Sequence, residues 1–137
     1  MAGRSELEPL YFEAIYRVAL PTGSVRLEVG KESPAVDRWL RENGFETAAY
    51  VTAANPRSTR LGDRENEARH ERLLEMVTAQ TIRFLPAESR DREGGWRETG
   101  LLLLGIDEGA ALDLASELGQ AAILALEAGR PVRLAWT

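Results

Sequence analysis

The chain contains no cysteine. That absence removes disulfide frameworks, thiolate catalysis and cysteine-ligated zinc or iron–sulfur centres together. Histidine is nearly as scarce: His70 is the only imidazole. No histidine pair exists to hold a metal, and no metal site is expected. No apolar run approaches the ~20 residues that span a bilayer. The longest, Leu101 to Leu104, ends at Gly105 with Ile106 beyond it. The segment MAGRSELEPLYFE lacks the apolar core and small-residue cleavage site of a secretory signal. A soluble cytoplasmic protein with no membrane partner is the resulting expectation. A glycine-rich phosphate loop is missing too, because Gly94 and Gly95 stand in a turn between two strand-like runs, not between a strand and a helix. No Rossmann or P-loop nucleotide site, and no cofactor, is expected.

Lysine is represented by Lys31 alone among 17 basic residues. The formal net charge is -5 and the isoelectric point about 5.0. Duplex nucleic acid needs a concentrated positive field, and the only local basic patch is the loop Arg57, Arg60 and Arg64. No nucleic-acid partner is expected. The arginine bias is a compositional feature that codon usage explains as well as selection for bidentate contacts.

What is present is the pattern of one α+β domain over residues 1–137. IYRVAL and VRLEV alternate apolar and polar around PTGS and predict a hairpin. Ser33 as N-cap, Pro34 at the first helical position and Gly44 as terminator punctuate a helix carrying Val36, Trp39 and Leu40. ETAAYVTAA reads as a central strand, and a helix capped by Asp63 or a neighbour runs to about Gln80. TIRFLPAES and WRETGLLLLGI flank the polar RDREGG as a second hairpin. Asp107 caps a helix with Ala111, Leu114, Ala115 and Leu118 on one stripe, ended by Gly119. QAAILAL and VRLAW form a third hairpin around EAGRP. The predicted order is ββαβαββαββ, with about three helices on a mixed, largely antiparallel sheet. Residues 1–12 stand before it as an N-terminal segment with room for a short helix. The terminal hairpin, ending near Trp136, and the first hairpin offer sheet edges through which a homodimer is expected.

The charged run Asp63, Glu65, Glu67, Glu71 and Glu75 interleaves with Arg64, Arg69 and Arg72. On a helix this is a solvated face, each i,i+4 pair contributing a few tenths of a kcal/mol. His70 falls in line with Asn66, Leu73 and Val77 and continues their apolar stripe. It reads first as a packing residue and only second as a general base. Ser58 and Thr59 have no evident base partner other than His70, which argues against a serine hydrolase.

The stretch VTAANPRSTRLGDRENEARHERL, Val51 to Leu73, exceeds these bland readings. Asn55-Pro56 after a strand is a sound way into a loop. Asn66 and Arg69, one helical turn apart, face the end of that strand and need polar partners. TAANP at Thr52–Pro56, EN at Glu65 and Asn66 with Arg69 three residues on, Trp96 and Glu98 before an apolar strand, and GQAAI at Gly119–Ile123 together resemble a small bacterial family known as domain of unknown function 3293. The likeness runs from the first hairpin to Ile123. Where that family commonly has an aromatic residue before the Asn-Pro pair, this chain has Ala54.

The resemblance implies a shared fold and a shared polar cluster of Asn55, Asn66, Arg69, Glu98 and Gln120, and implies no reaction. Three readings stay open. The cluster is a structural network; or it is a site for a small anionic ligand or a protein partner in a non-enzymatic module; or it is the centre of an enzyme acting on a small anionic substrate, with Glu98 as acid/base, Arg69 as anion clamp and His70 as second catalytic candidate.

Overall fold

The computed structural model describes residues 3–56 and 59–137. Along these residues run α1 (Arg4–Glu13), β1 (Ile15–Leu20), β2 (Gly23–Leu27), α2 (Pro34–Glu42), β3 (Thr47–Thr52), α3 (Asp63–Ala79), β4 (Arg83–Arg90), β5 (Arg97–Leu104), α4 (Glu108–Glu117), β6 (Ala122–Glu127) and β7 (Arg133–Trp136). The fold is α+β. Among the described residues there are four helices, not three, because the N-terminal segment forms α1 ahead of the expected order.

One seven-stranded sheet carries everything, in the order β2-β1-β4-β5-β3-β6-β7. Each strand pairing is antiparallel, so the sheet is less mixed than the sequence suggested. Parallel contact is confined to an isolated bridge between Val29 and Val132, just outside β2 and β7. There Gly30 N–H donates to Val132 O at 2.7 Å and Val132 N–H to Lys31 O at 2.9 Å. The sheet thus curls until its two outer strands touch at one end. Both hairpins read as free edges are partly occupied by each other, and Trp136 packs edge-on against Tyr11 of α1.

The period-2 alternation of strands explains how one sheet serves two cores. In β3, Ala48 and Tyr50 face inward while Ala49 and Val51 face outward; in β5, Leu102 and Leu104 oppose Leu101 and Leu103. The inner face packs on Val36 and Leu40 of α2, and the outer face on Leu73 and Val77 of α3 and Ala111, Leu114 and Ala115 of α4. The run Leu101–Leu104 is therefore a strand buried on both faces. With Leu102 and Leu103 both 0% exposed, each contributes roughly 1.5–3 kcal/mol by burial. Among the described residues no helix is long and apolar enough to cross a membrane.

The predicted caps fare unevenly. Asp107 accepts from Ala110 N–H at 2.8 Å as expected. Ser33 occupies the N-cap of α2 without a side-chain bond, and α3 is capped by Gly62, with Asp63 in its first turn.

Candidate functional site

Register brings the site residues into line. Tyr16 of β1 lies opposite Ser89 of β4, and Ser89 opposite Glu98 of β5. Glu98 shares the inner face with Gly100, Leu102 and Leu104 through the two-residue period of the strand. A carboxylate thus points into the concave side of the sheet, beside the point where β3 ends and the Asn-Pro loop begins.

That loop is bound from several directions. Asn55 adopts φ 45°, a left-handed conformation that asparagine tolerates better than most residues. Its Nδ2 donates to Glu98 Oε2 at 2.7 Å, and its Oδ1 accepts from Leu61 N–H at 2.8 Å and Asn66 Nδ2 at 2.9 Å. Asn66 Oδ1 in turn accepts from Asn55 N–H at 3.0 Å. Arg69 donates from Nε to Ala53 O and from its guanidinium to Leu118 O. Gln120, 7% exposed, donates from Nε2 to Ala54 O at 3.0 Å. Gly119, at φ 73°, lets Pro56 approach; a Cβ there would meet Pro56 Cβ at 3.1 Å.

All five predicted cluster residues therefore converge on the segment Ala53–Asn55, in two different roles. Asn66 and Arg69 are less exposed than their helix neighbours Glu67 and Glu71 and stitch the loop to α3 and α4. Asn55, Glu98 and Gln120 also line a cavity of about 220 Å³; Asn66 and Arg69 do not. Two backbone carbonyls hold the Arg69 guanidinium, and it makes no ion pair with Glu98. His70 also lies outside the cavity lining. Its Nδ1 is buried with no hydrogen-bond partner among the described residues, and burial lowers its pKa. Arg57 and Ser58 lie outside the described residues.

The rest of the cavity wall joins Trp96 and Arg60 to tyrosines that the sequence did not single out. Tyr11 and Leu10 of α1 cover it, Tyr16 and Tyr50 form its inner wall with ring centroids 5.4 Å apart, and Trp96 and Arg60 sit toward the tip of the β4–β5 hairpin. Arg60 is exposed and donates to Gly95 O at 2.7 Å. Tyr16 OH donates to Tyr11 O at 3.1 Å, tying α1 to β1, and Tyr50 OH donates to Ser89 Oγ at 3.1 Å. Gly100 makes room for Tyr50, since a Cβ there would lie 2.8 Å from its ring and from Val51 O.

Burial sets the electrostatics. The Glu98 carboxyl is held above the ordinary carboxylate range by desolvation, against the opposing effect of hydrogen bonds from Asn55 and Ser89. Desolvation, with the Glu98 charge adding, pushes the Tyr11 hydroxyl up to about 12. Tyr16 and Tyr50 are raised as well, again chiefly by burial. None of the ion pairs among the described residues involves Glu98. Nor do these residues place three histidine, cysteine, aspartate or glutamate side chains together for a metal.

Fold and cavity define a class: an α+β domain whose curled antiparallel sheet encloses a tyrosine-lined cavity with one carboxylate at its wall. Residues 51–123, more than half of the chain, match the family described as Protein of unknown function (DUF3293), and the chain belongs to that family. The match starts later than the sequence likeness suggested. It takes in Asn55, Ser89, Trp96, Glu98 and Gln120 but leaves Tyr11, Tyr16 and Tyr50 outside. No curated protein and no solved structure matches the chain.

Proposed function

We propose that this protein is a non-enzymatic binding module that takes a small molecule into the cavity beneath α1. The observation that carries the reading is the position of Glu98. It faces a partly open, largely apolar space, with hydrogen bonds from Asn55 and Ser89 and no ion-pair partner among the described residues. A purely structural network gains little from such a group, because a buried carboxylate costs free energy unless it is paired. A few fixed polar groups in an apolar cavity are what a ligand site uses for orientation. Arg69 does not speak for an anionic ligand in this cavity, because it is held by two backbone carbonyls and stands outside the lining.

A thermal-shift screen over small metabolites of all charge types tests the reading, since a ligand at 100 times its Kd stabilises by about 2.7 kcal/mol. Hits should vanish in Ala122→Phe, which fills the cavity from β6. Stabilisers that act equally on this variant would count against the cavity as the site.

A second reading rests on the same carboxyl. A glutamate raised by burial beside a cavity suits acid/base chemistry near neutral pH. Glu98 would then be the catalytic group, with no role for His70, and Glu98→Gln would abolish turnover of any substrate found while leaving it bound.

A further inference from the structure

The binding reading leaves open which chemistry the cavity accepts, and the answer rests on that reading. We infer that the ligand is a small organic cation, a protonated amine on an apolar body, whose charge is met by the Glu98 carboxylate and the tyrosine walls.

Charge complementarity is the first argument. Glu98 presents a carboxylate that accepts from Asn55 and Ser89 and has no counter-ion among the described residues. The groups around it are Tyr11 from α1, Tyr16 from β1, Tyr50 from β3 and Ser89 from β4. None of these carries positive charge. Among the described residues, Arg60 is the other charged side chain of the lining; it is exposed and turned to Gly95 O. An anion entering this space would meet Glu98 with no cation beside it, whereas an ammonium would complete an ion pair in surroundings where attraction is stronger than in water.

Wall chemistry is the second argument. Tyr11, Tyr16, Tyr50 and Trp96 supply aromatic surface, which attracts cations electrostatically and accepts an apolar body. Tyr16 OH and Tyr50 OH already donate to Tyr11 O and Ser89 Oγ. A phenol oxygen that donates can still accept, which suits a ligand rich in N–H donors better than an acceptor-rich anion. The volume of about 220 Å³ fixes the ligand's size as that of a small amine.

Three probes of matched shape decide it: benzylamine, benzyl alcohol and benzoate, titrated by NMR into the full chain with the indole signal of Trp96 followed. Benzylamine should bind at least about tenfold more tightly than the other two, equivalent to about 1.4 kcal/mol. Glu98→Gln, which keeps an acceptor for Asn55, should abolish that preference, bringing the affinity for benzylamine down to that of benzyl alcohol for the same variant. Equal affinity for all three probes, or a preference for benzoate, overturns the cation assignment and leaves the small-molecule reading standing. A benzylamine preference that survives Glu98→Gln also overturns it. If none of the three moves the Trp96 signal, the assignment and the cavity reading fall together.

Discussion

Asn55 and Glu98, 43 residues apart in the chain, are joined by a hydrogen bond of 2.7 Å between the amide Nδ2 and the carboxylate Oε2. The bond couples a loop to a strand. Asn55 shapes the loop through its backbone and its Oδ1, and at the same time it fixes the orientation of the one carboxylate that faces the cavity. Loop geometry and cavity chemistry therefore depend on one side chain, so substitutions must be chosen to separate them.

Asn55→Gly and Asn55→Ala make that separation. Both remove the bonds to Leu61, Asn66 and Glu98, but only alanine pays for the positive φ. Glycine at this position is expected to lower stability by roughly 1–3 kcal/mol, the cost of leaving buried partners unsatisfied. Alanine should cost about 1 kcal/mol more. Urea midpoints of the two variants measure the difference. Equal midpoints would mean that the loop relaxes out of the left-handed conformation.

Arg69→Ala tests a scaffold role. The guanidinium bridges Ala53 O at the end of β3 and Leu118 O at the end of α4, two carbonyls that lysine cannot reach in the same forked geometry. Removal should cost roughly 2–3 kcal/mol, with Arg69→Lys recovering less than half of it. Since Arg69 does not line the cavity, ligand affinity measured well below the melting transition should stay within about twofold of the parent, under 0.5 kcal/mol. A large loss of affinity in a stably folded variant would return Arg69 to the site.

Much of this was legible before any coordinates. Alternation placed the hairpins, and the Ser33-Pro34, Asp107 and Gly119 signals located helix ends. Glu98 entered through the family resemblance; its place on the inner face, in period with Gly100, Leu102 and Leu104, follows from the strand register. α1 was harder to read, because it is a weakly amphipathic helix with Pro9 inside and only Leu7 fully buried. The tyrosines were hidden for another reason: Tyr11, Tyr16 and Tyr50 become one wall only when the sheet curls, and curling depends on contacts such as Val29–Val132 between distant segments. Arg69 needs polar partners on any of the three readings, and it finds two in the carbonyls of Ala53 and Leu118. Backbone carbonyls satisfy a guanidinium as well as a ligand does, and no local pattern distinguishes the two.

Gly100→Ala probes the wall. A methyl group there would lie 2.8 Å from the Tyr50 ring and 2.8 Å from Val51 O. The clash with Val51 O forces a local shift of the β3–β5 pairing, and Tyr50 must move as well, which is expected to break its bond to Ser89. Destabilisation of roughly 1–3 kcal/mol is expected from overpacking, together with a changed near-ultraviolet circular dichroism spectrum. Tyr50→Phe in the Gly100→Ala background should add little further loss, because the hydroxyl bond is already gone. A fully additive double variant would show that Tyr50 had kept its place.

Glu98→Gln carries the sharpest expectation, because its sign is opposite to that of most substitutions at a hydrogen-bonded residue. The folded-state pKa of Glu98 lies above its ordinary value of 4.5, chiefly through desolvation. Between the two values the folded chain binds more protons than the unfolded chain, so stability falls as pH rises. The favourable contribution of the neutral acid is fully present below about 4.5 and is lost as pH climbs through the folded-state value. Wherever it is ionised, the carboxylate is therefore a net cost to the fold. Glutamine keeps an oxygen for Asn55 Nδ2 and carries no charge, so Glu98→Gln should unfold at a higher urea concentration than the parent at pH 7.5. That advantage should shrink on acidification and disappear by about pH 4, where both chains carry a neutral group at this position. A variant less stable than the parent at pH 7.5 would show that the carboxylate is paired within the fold, and the cavity would then lose the group on which ligand binding depends; an advantage independent of pH would show that folding does not shift the Glu98 pKa.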